Sequence, residues 1–382
     1  MVGYLANGSA RDRRPLVVAL GALNATCVVQ DPPATLLPRL ARLVGQPLMS
    51  GGERRVDAAT MRLALGVALP HVSQVRLGGS AYKTITAVAA TRRALRLGYV
   101  GVAGDTPGSV THLQALADHG VEHHLVANRR TVGGICLTLA AGGDRAVLTH
   151  EGANAEMAHH LDRDQDAVVE YIAEAAVVHV TPFLDPATPA ALLALLRAAR
   201  QRNPQLRISL APGRAWCTAA DPNIGRIFDL ADYLYLASAE LAALRRTEHT
   251  DEGIAERLLR RMPPGAVVIV QTAAGARTYE NRKGVLVAEP HSHTQSTAGR
   301  VVTDGGGDTF VAGVLAAVAL DPRRLKEGIR LGMALARHAI AHHGVTTAAS
   351  VPDLRVWRAR VSAVETTLNS PRLDGAFSNM ID

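Results

Sequence analysis

Cysteine is scarce in this chain of 382 residues: Cys27, Cys136 and Cys217 are the complete set, an odd number without CxxC spacing. That count excludes a disulfide framework and points to a reducing compartment, so a cytoplasmic protein is expected. Aromatic residues make up 3%, too few for the stacking platforms that hold single-stranded nucleic acid. Lysine occurs only at Lys83, Lys283 and Lys326, so the formal charge of +7 is carried almost wholly by arginine. The arginines are scattered, with pairs such as Arg92–Arg93 and Arg245–Arg246. No run reaches the roughly five like charges that mark a nucleic-acid arm, and a diffuse positive field suits small anions instead. No stretch approaches the ~18 uninterrupted apolar residues of a membrane span. The polar opening MVGYLANGSARDRRP lacks the core of a signal peptide. Neither a membrane nor a nucleic acid is therefore an expected partner.

What the chain does have is apolar residues, 48% of the total, laid out in alternating strand and helix patterns. Pro15–Leu20 (PLVVAL) is a continuous β-branched run that suits a buried parallel strand. Helical spacing follows at Leu36–Val44, Ala58–Leu69 and Val110–His119, and a double glycine feeds a further helix within Leu77–Leu95. Tyr99–Gly108 reads as a strand and a glycine-rich turn, and Gly134–Leu139 with Arg145–His150 reads as a β-hairpin about Gly142–Gly143. From there strands at Ala175–Val180, Arg207–Leu210, Tyr233–Leu236 and Ala266–Gln271 alternate with helices at Pro189–Gln201, Ile224–Leu230, Ala239–Arg245 and Asp251–Met262. A second hairpin is expected at Thr278–Glu280 and Gly284–Ala288, then helices over Asp308–Ala319 and Leu325–His342. This rhythm predicts an α/β fold with a doubly wound, mainly parallel sheet flanked by helices. Residues 1–14 read as a disordered tail and 356–382 as a last helix and tail.

The strongest local signal is VVTDGGGDTFVAGVLAAVA, Val301–Ala319. Three successive glycines are costly inside any regular element. They precede Phe310, Val311, Val314, Leu315 and Val318, which recur at helical spacing. The glycines therefore form a loop that opens onto a helix N-terminus, where unpaired N–H groups and a partial positive charge can cradle a phosphate. Asp308 falls in the first turn, where a carboxylate can cap the helix or take a proton from a hydroxyl. No lysine follows the glycines, so this is not a P-loop, and the GxGxxG dinucleotide pattern is absent from it.

This loop resembles the second signature of the ribokinase (phosphofructokinase-B type) family of carbohydrate and nucleoside kinases, roughly D-T-x-G-A-G-D-x-F, matched by Val302-Thr303-Asp304-Gly305-Gly306-Gly307-Asp308-Thr309-Phe310. Other family landmarks follow in the family's order over roughly residues 15–350. Gly21-Ala22-Leu23-Asn24 is similar to the G-x-x-N opening, and Gly78-Gly79-Ser80-Ala81-Tyr82-Lys83 sits where the first signature, GG-x-x-x-N, meets the substrate. Asp105-Thr106-Pro107-Gly108 resembles the next glycine turn, and Gly152-Ala153-Asn154 the family's GAN. Glu240 resembles the glutamate of N-x-x-E, and Gly275-Ala276 the nucleotide-side glycine loop.

The resemblance implies a ribokinase-like fold over 15–355, with a small β-lid drawn from about 22–34, 70–80 and 121–150. It implies an ATP-dependent kinase for a sugar, nucleoside, cyclitol or one of their phosphates. Asp308 would be the catalytic base, and the amides of Gly305, Gly306 and Gly307 the anion hole. Asn24, Gly78, Gly79, Lys83 and Asn154 would meet the substrate, and Thr272, Gly275 and Thr303 the nucleotide. Mg2+ would be reached by Glu240 through water. A homodimer formed through the lid is a further family habit. The long segment between Gly21 and Gly78 makes the layout closest to the adenosine kinase and ribokinase branch.

The chain departs from the pattern at several positions. Lys83 replaces the first-signature asparagine, and a cation there would favour a substrate that already carries a phosphate. Thr26 stands at the substrate-binding aspartate, Val302 at an aspartate linked to a monovalent cation, and Ala237 at the asparagine of N-x-x-E. Val270-Gln271-Thr272 stands at T-x-G. These losses keep open an alternative, a catalytically silent member of the same fold that binds a nucleotide or metabolite and regulates a partner.

Overall fold

The computed structural model describes residues 12–48, 52–107, 110–141, 144–272, 274–292 and 305–342. The apolar runs build a large sheet from β1 (Leu16–Leu20), β5 (Arg96–Asp105), β6 (Glu122–Val132), β9 (Val177–Val180), β10 (Arg207–Leu210), β11 (Tyr233–Ala237), β12 (Val267–Thr272), β13 (Gly275–Arg282) and β14 (Val285–Ser292). Its nine strands run in the order β14-β13-β12-β11-β10-β9-β1-β5-β6. Pairing is parallel from β6 to β12 and antiparallel in the terminal hairpin. Every residue of β1 is buried, as a central strand covered on both faces requires.

One face carries α5 (Met157–Arg163), α6 (Gln165–Ala173), α7 (Thr188–Arg202), α8 (Gly213–Thr218), α9 (Pro222–Phe228), α10 (Ser238–Ala243) and α11 (Asp251–Leu259). The other carries α3 (Ser80–Ala90), α4 (His112–Asp118), α12 (Gly306–Val318) and α13 (Leu325–His342). No described helix is long and apolar enough to cross a membrane.

A second sheet is built from β2 (Asn24–Gln30), β3 (Glu53–Arg55), β4 (Gln74–Gly78), β7 (Gly134–Ala141) and β8 (Asp144–His150), in the order β3-β8-β7-β2-β4. Its two faces follow the period of two in its strands. Ala25, Cys27, Val29, Ile135, Leu137, Leu139 and Leu148 point outward and pack under α1 (Leu36–Val44) and α2 (Ala58–Ala68). Thr26, Cys136, Thr138 and Val147 point inward over the large sheet. This polar-faced sheet is the lid.

The lid differs in two respects from the sequence reading. Residues 122–132, expected within it, form β6 and pair with β5 at the edge of the large sheet. The chain enters the lid only past Gly133, which donates its N–H to the Asp105 carbonyl. β3 was not foreseen, because its ERR sequence carries no apolar residue and only one position is even half-buried. The short helices α5 and α6 were also unread: the polar stretch HHLDRDQD between their apolar ends hides the period. The expected tail at 356–382 and most of that at 1–14 lie outside the described residues.

Candidate active site

In a doubly wound sheet the crevice lies beyond the carboxyl ends of the strands, where the winding reverses. Here the chain winds outward from β1 to β5 and β6, then from β9 to β12 on the other side. A cleft of about 380 Å3 opens at those ends, lined by Pro182 after β9, Ala211 and Arg214 after β10, Ala237 at the end of β11 and Gln271 near the end of β12. The lid's inner face forms its roof. A larger hollow of about 900 Å3 lies at the amino ends of the strands. Several of its charges are paired, as in Arg96 with Glu122 at 2.9 Å and Arg14 with Asp12 at 2.5 Å, and it lies at the opposite end of the strands from the glycine turn.

The floor of the cleft is the start of α12. Gly305 has φ +97°, a left-handed conformation that favours glycine. A Cβ there would have Lys83 Cδ at 3.6 Å and Asp308 Oδ2 at 4.0 Å as neighbours. Thr309 returns its N–H to the Gly305 carbonyl at 3.0 Å, and its hydroxyl bonds the Gly306 carbonyl at 3.0 Å. This fixes the first turn. The first amides of a helix have no intrahelical acceptor, and those that follow Gly305 stand at the start of α12 on the floor of the cleft. Gly307 sits beside the Gln271 side chain, with 3.3 Å between its notional Cβ and Gln271 Oε1. Thr84 on α3 donates its hydroxyl to the Asp308 carbonyl at 3.3 Å, tying α3 to this turn.

At the lid end one buried amide organises the chain. Asn154 accepts the Leu23 N–H at 2.9 Å and donates to Leu23 O at 3.1 Å, Asn24 Oδ1 at 3.0 Å and Glu151 O at 3.0 Å. Gly134 crosses directly over it: a Cβ there would lie 2.0 Å from Asn24 Oδ1 and 2.2 Å from Asn154 Nδ2. Asn154 lines a side pocket of about 70 Å3 that joins the cleft at Asn24 and Ser80.

Glu240 lines the body side of the cleft. Its Oε2 accepts the Ala237 N–H at 2.8 Å, capping α10. Burial pushes its carboxyl above the usual range, opposed by that hydrogen bond and by the charges of Arg145 and Arg214. Arg145, from the lid strand β8, and Arg214, from α8, both line the cleft. Among the described residues no cluster of three or more His, Cys, Asp and Glu could hold a metal alone.

The fold thus brings Asn24, Gly79, Lys83, Glu240, Gly305, Gly307 and Asp308 to one cleft. Gly78 closes β4 directly before Gly79, and Gly306 is buried between its neighbours. Thr272 and Gly275 pair with each other at the mouth of the β12–β13 hairpin and do not line the cleft. Gly275 has φ +144°, and a Cβ there would lie 2.0 Å from the His291 carbonyl, so its glycine serves strand packing. Thr303 lies outside the described residues. Glu53, Arg145 and Tyr235 line the cleft without having been picked out from sequence; the inward period of the lid strands was the available signal for Arg145. Trp216 and Cys217 pack in the core, with Trp216 Nε1 donating to the Phe183 carbonyl at 2.9 Å.

A glycine-rich helix start with an acidic first turn, set beneath a small lid on a doubly wound sheet, defines a ribokinase-like α/β protein. Residues 69–353 match the pfkB family carbohydrate kinases, and the chain belongs to that family. Fructokinase-1 of Oryza sativa subsp. japonica is 27% identical over 300 residues, covering 75% of this chain and 88% of that protein. Fructokinase-1 of Zea mays is 25% identical over 295 residues, covering 74% and 86%. The same fold recurs in the Anopheles gambiae adenosine kinase in complex with P1,P4-di(adenosine-5) tetraphosphate, with a TM-score of 0.72 at 18% identity over 87% of this chain and 97% of that one. It also recurs in the ribokinase of Giardia lamblia, with a TM-score of 0.64 at 18% identity over 93% and 100%.

Proposed function

We propose that the protein is an ATP-dependent phosphotransferase that moves the terminal phosphoryl group onto a hydroxyl of a sugar, nucleoside, cyclitol or phosphate ester of one of these. One observation carries the reading: Asp308 stands in the first turn of α12, beside the left-handed Gly305, at the floor of the lidded cleft. Asp308 takes the proton of the attacking hydroxyl. The amides of Gly305, Gly306 and Gly307 gather the oxygens of the transferred group, and Arg145 and Arg214 offset the polyphosphate charge. Asn24, Gly78 and Gly79 border the acceptor, with Asn154 holding Asn24 in place. Thr272, Gly275 and Thr303 are assigned to the nucleotide side.

The donors present fit a magnesium ion of the kind kinases use. Such an ion takes one or two carboxylates and fills its shell with water and substrate phosphates. Glu240 spends one oxygen on Ala237 N–H and keeps the other for a bound water. Magnesium supplies charge neutralisation between the nucleotide phosphates.

The test is ADP release with ATP and Mg2+ across nucleosides, sugars, sugar phosphates and cyclitols. An accepted acceptor is expected, and Asp308→Asn should lower its turnover by about 10^3-fold or more while nucleotide binding persists. Full turnover in Asp308→Asn, or no acceptor-dependent ADP at all, refutes the assignment. The loss of turnover in that variant also separates this reading from a silent regulatory one.

A further inference from the structure

We infer that Lys83 touches the phosphoryl group as it passes between nucleotide and acceptor, so that it is a catalytic residue and not a handle for a phosphate already on the acceptor. The inference rests on the kinase reading above. Lys83 stands in the first turn of α3, its N–H bonded to the Gly79 carbonyl at 2.9 Å. Both neighbours are held. Tyr82 is buried and meets His112 edge-on with ring centroids 5.1 Å apart. Thr84 is 1% exposed and bonds the Asp308 carbonyl at 3.3 Å. α3 therefore cannot slide along α12, and the Lys83 stem lies against the glycine turn.

The geometry at Gly305 locates the charge. A Cβ at this glycine would be 3.6 Å from Lys83 Cδ and 4.0 Å from Asp308 Oδ2. The ammonium, two bonds past Cδ, and the carboxylate flank the same residue of the anion hole. A phosphate already on the acceptor would sit at the far end from the hydroxyl that reacts. Lys83, beside Gly305 and Asp308, stands at the reacting end and not there.

In the transfer the acceptor oxygen bonds the γ-phosphorus while the bond from that phosphorus to the bridging oxygen breaks. The hydroxyl proton passes to Asp308, and the bridging oxygen leaves with its electron pair as part of ADP. Lys83 keeps its proton throughout. Its charge faces the equatorial oxygens, on which negative charge is spread in the transition state, so it acts more on kcat than on acceptor binding. An asparagine at this position offers a donor without a charge.

The experiment compares wild type with Lys83→Met and Lys83→Arg in steady-state kinetics, and in calorimetric titration with β,γ-imido-ATP and with ADP. Lys83→Met is expected to lower kcat by about 10^2–10^3-fold with acceptor KM essentially unchanged. It should weaken the imido analogue by about tenfold, as expected when one charged contact worth ~1.4 kcal/mol is lost, and leave ADP unaffected; Lys83→Arg should recover part of kcat. A raised acceptor KM with intact kcat, equal losses for both nucleotides, or no change overturns the inference. Asp308→Asn is measured alongside: turnover there, or no acceptor found, counts against the kinase reading alone, while the nucleotide titration still decides Lys83. If Lys83→Met does not fold, Lys83→Gln, which keeps most of the stem against Gly305, gives the same comparison.

Discussion

Replacing Asn154 by aspartate turns one nitrogen into an oxygen and leaves the shape alone. The wild-type amide is fully occupied: its oxygen takes the Leu23 N–H, and its two N–H groups are shared among three acceptors, Leu23 O at 3.1 Å, Asn24 Oδ1 at 3.0 Å and Glu151 O at 3.0 Å. In Asn154→Asp three acceptor oxygens face a carboxylate that has no hydrogen to give them. In Asn154→Ala the same groups lose their partner, but the adjoining 70 Å3 pocket has room for water to satisfy some of them. The net cost of Asn154→Ala is about 2–4 kcal/mol, from two or three buried groups at roughly 1 kcal/mol each plus incomplete resatisfaction. Asn154→Asp should cost more at pH 8 and less at pH 5. The new carboxyl is stabilised in its protonated form, so its folded pKa lies above the unfolded value. The folded state then binds more protons, and stability falls as pH rises through that window. Differential scanning calorimetry of wild type and both variants at pH 5 and pH 8 reads this directly, at about 2 °C or less per kcal/mol for a chain of this size. If Asn154→Asp melts with wild type at pH 8, or shows only the wild-type pH dependence, the assigned orientation of the amide is wrong.

Gly305→Ala meets no hard contact, its Cβ neighbours lying at 3.6 and 4.0 Å. The left-handed backbone should cost about 1–2 kcal/mol, with a far larger loss of kcat from filling the cradle; activity near wild type would place the phosphate elsewhere. Burial pushes the imidazoles of His112 and His179 down to about 4 and about 3. Their contribution to stability is complete above pH ~6.5 and is lost as pH falls through the folded values, by about 3 kcal/mol at pH 4 for His112. His112→Gln should therefore flatten the drop in urea midpoint between pH 7 and pH 4.5, and an unchanged slope refutes the assignment. The outer face of the lid is already covered by α1 and α2, so light scattering should find a monomer; a dimer broken by charges placed on β2 would contradict this.

Much of the fold could be read in the sequence where one element carries one signal. β1 is a continuous apolar run between breakers, and α12 shows a helical period directly behind three glycines. The hairpin of β7 and β8 is two apolar runs about a glycine turn. The signal fails where position depends on partners far away in the chain. β6 has the same local pattern in either sheet, and only pairing with β5 decides its place. Glu53 and Arg145 reach the cleft because β3 and β8 lie side by side, paired Glu53 to Val147, a fact no local window holds. Thr272 and Gly275 sit in a motif position at the mouth of the β12–β13 hairpin, and packing adds a second demand that no motif shows, a close strand crossing at Gly275. Gln271, the residue before Thr272, is the one that lines the cleft.

The backbone passes between the two sheets near Leu23, Gly78, Gly133 and Glu151. Two of those passages, at Leu23 and Glu151, are bonded to the Asn154 amide, and Gly134, next to a third, presses against it. The Asn154 amide thus gathers the crossings on one side of the roof. In the kinase proposed above, a roof that swung about this side would carry the Arg145 edge farthest and the Asn24 edge least, so that the acceptor's seat would form before the arginine closes on the nucleotide.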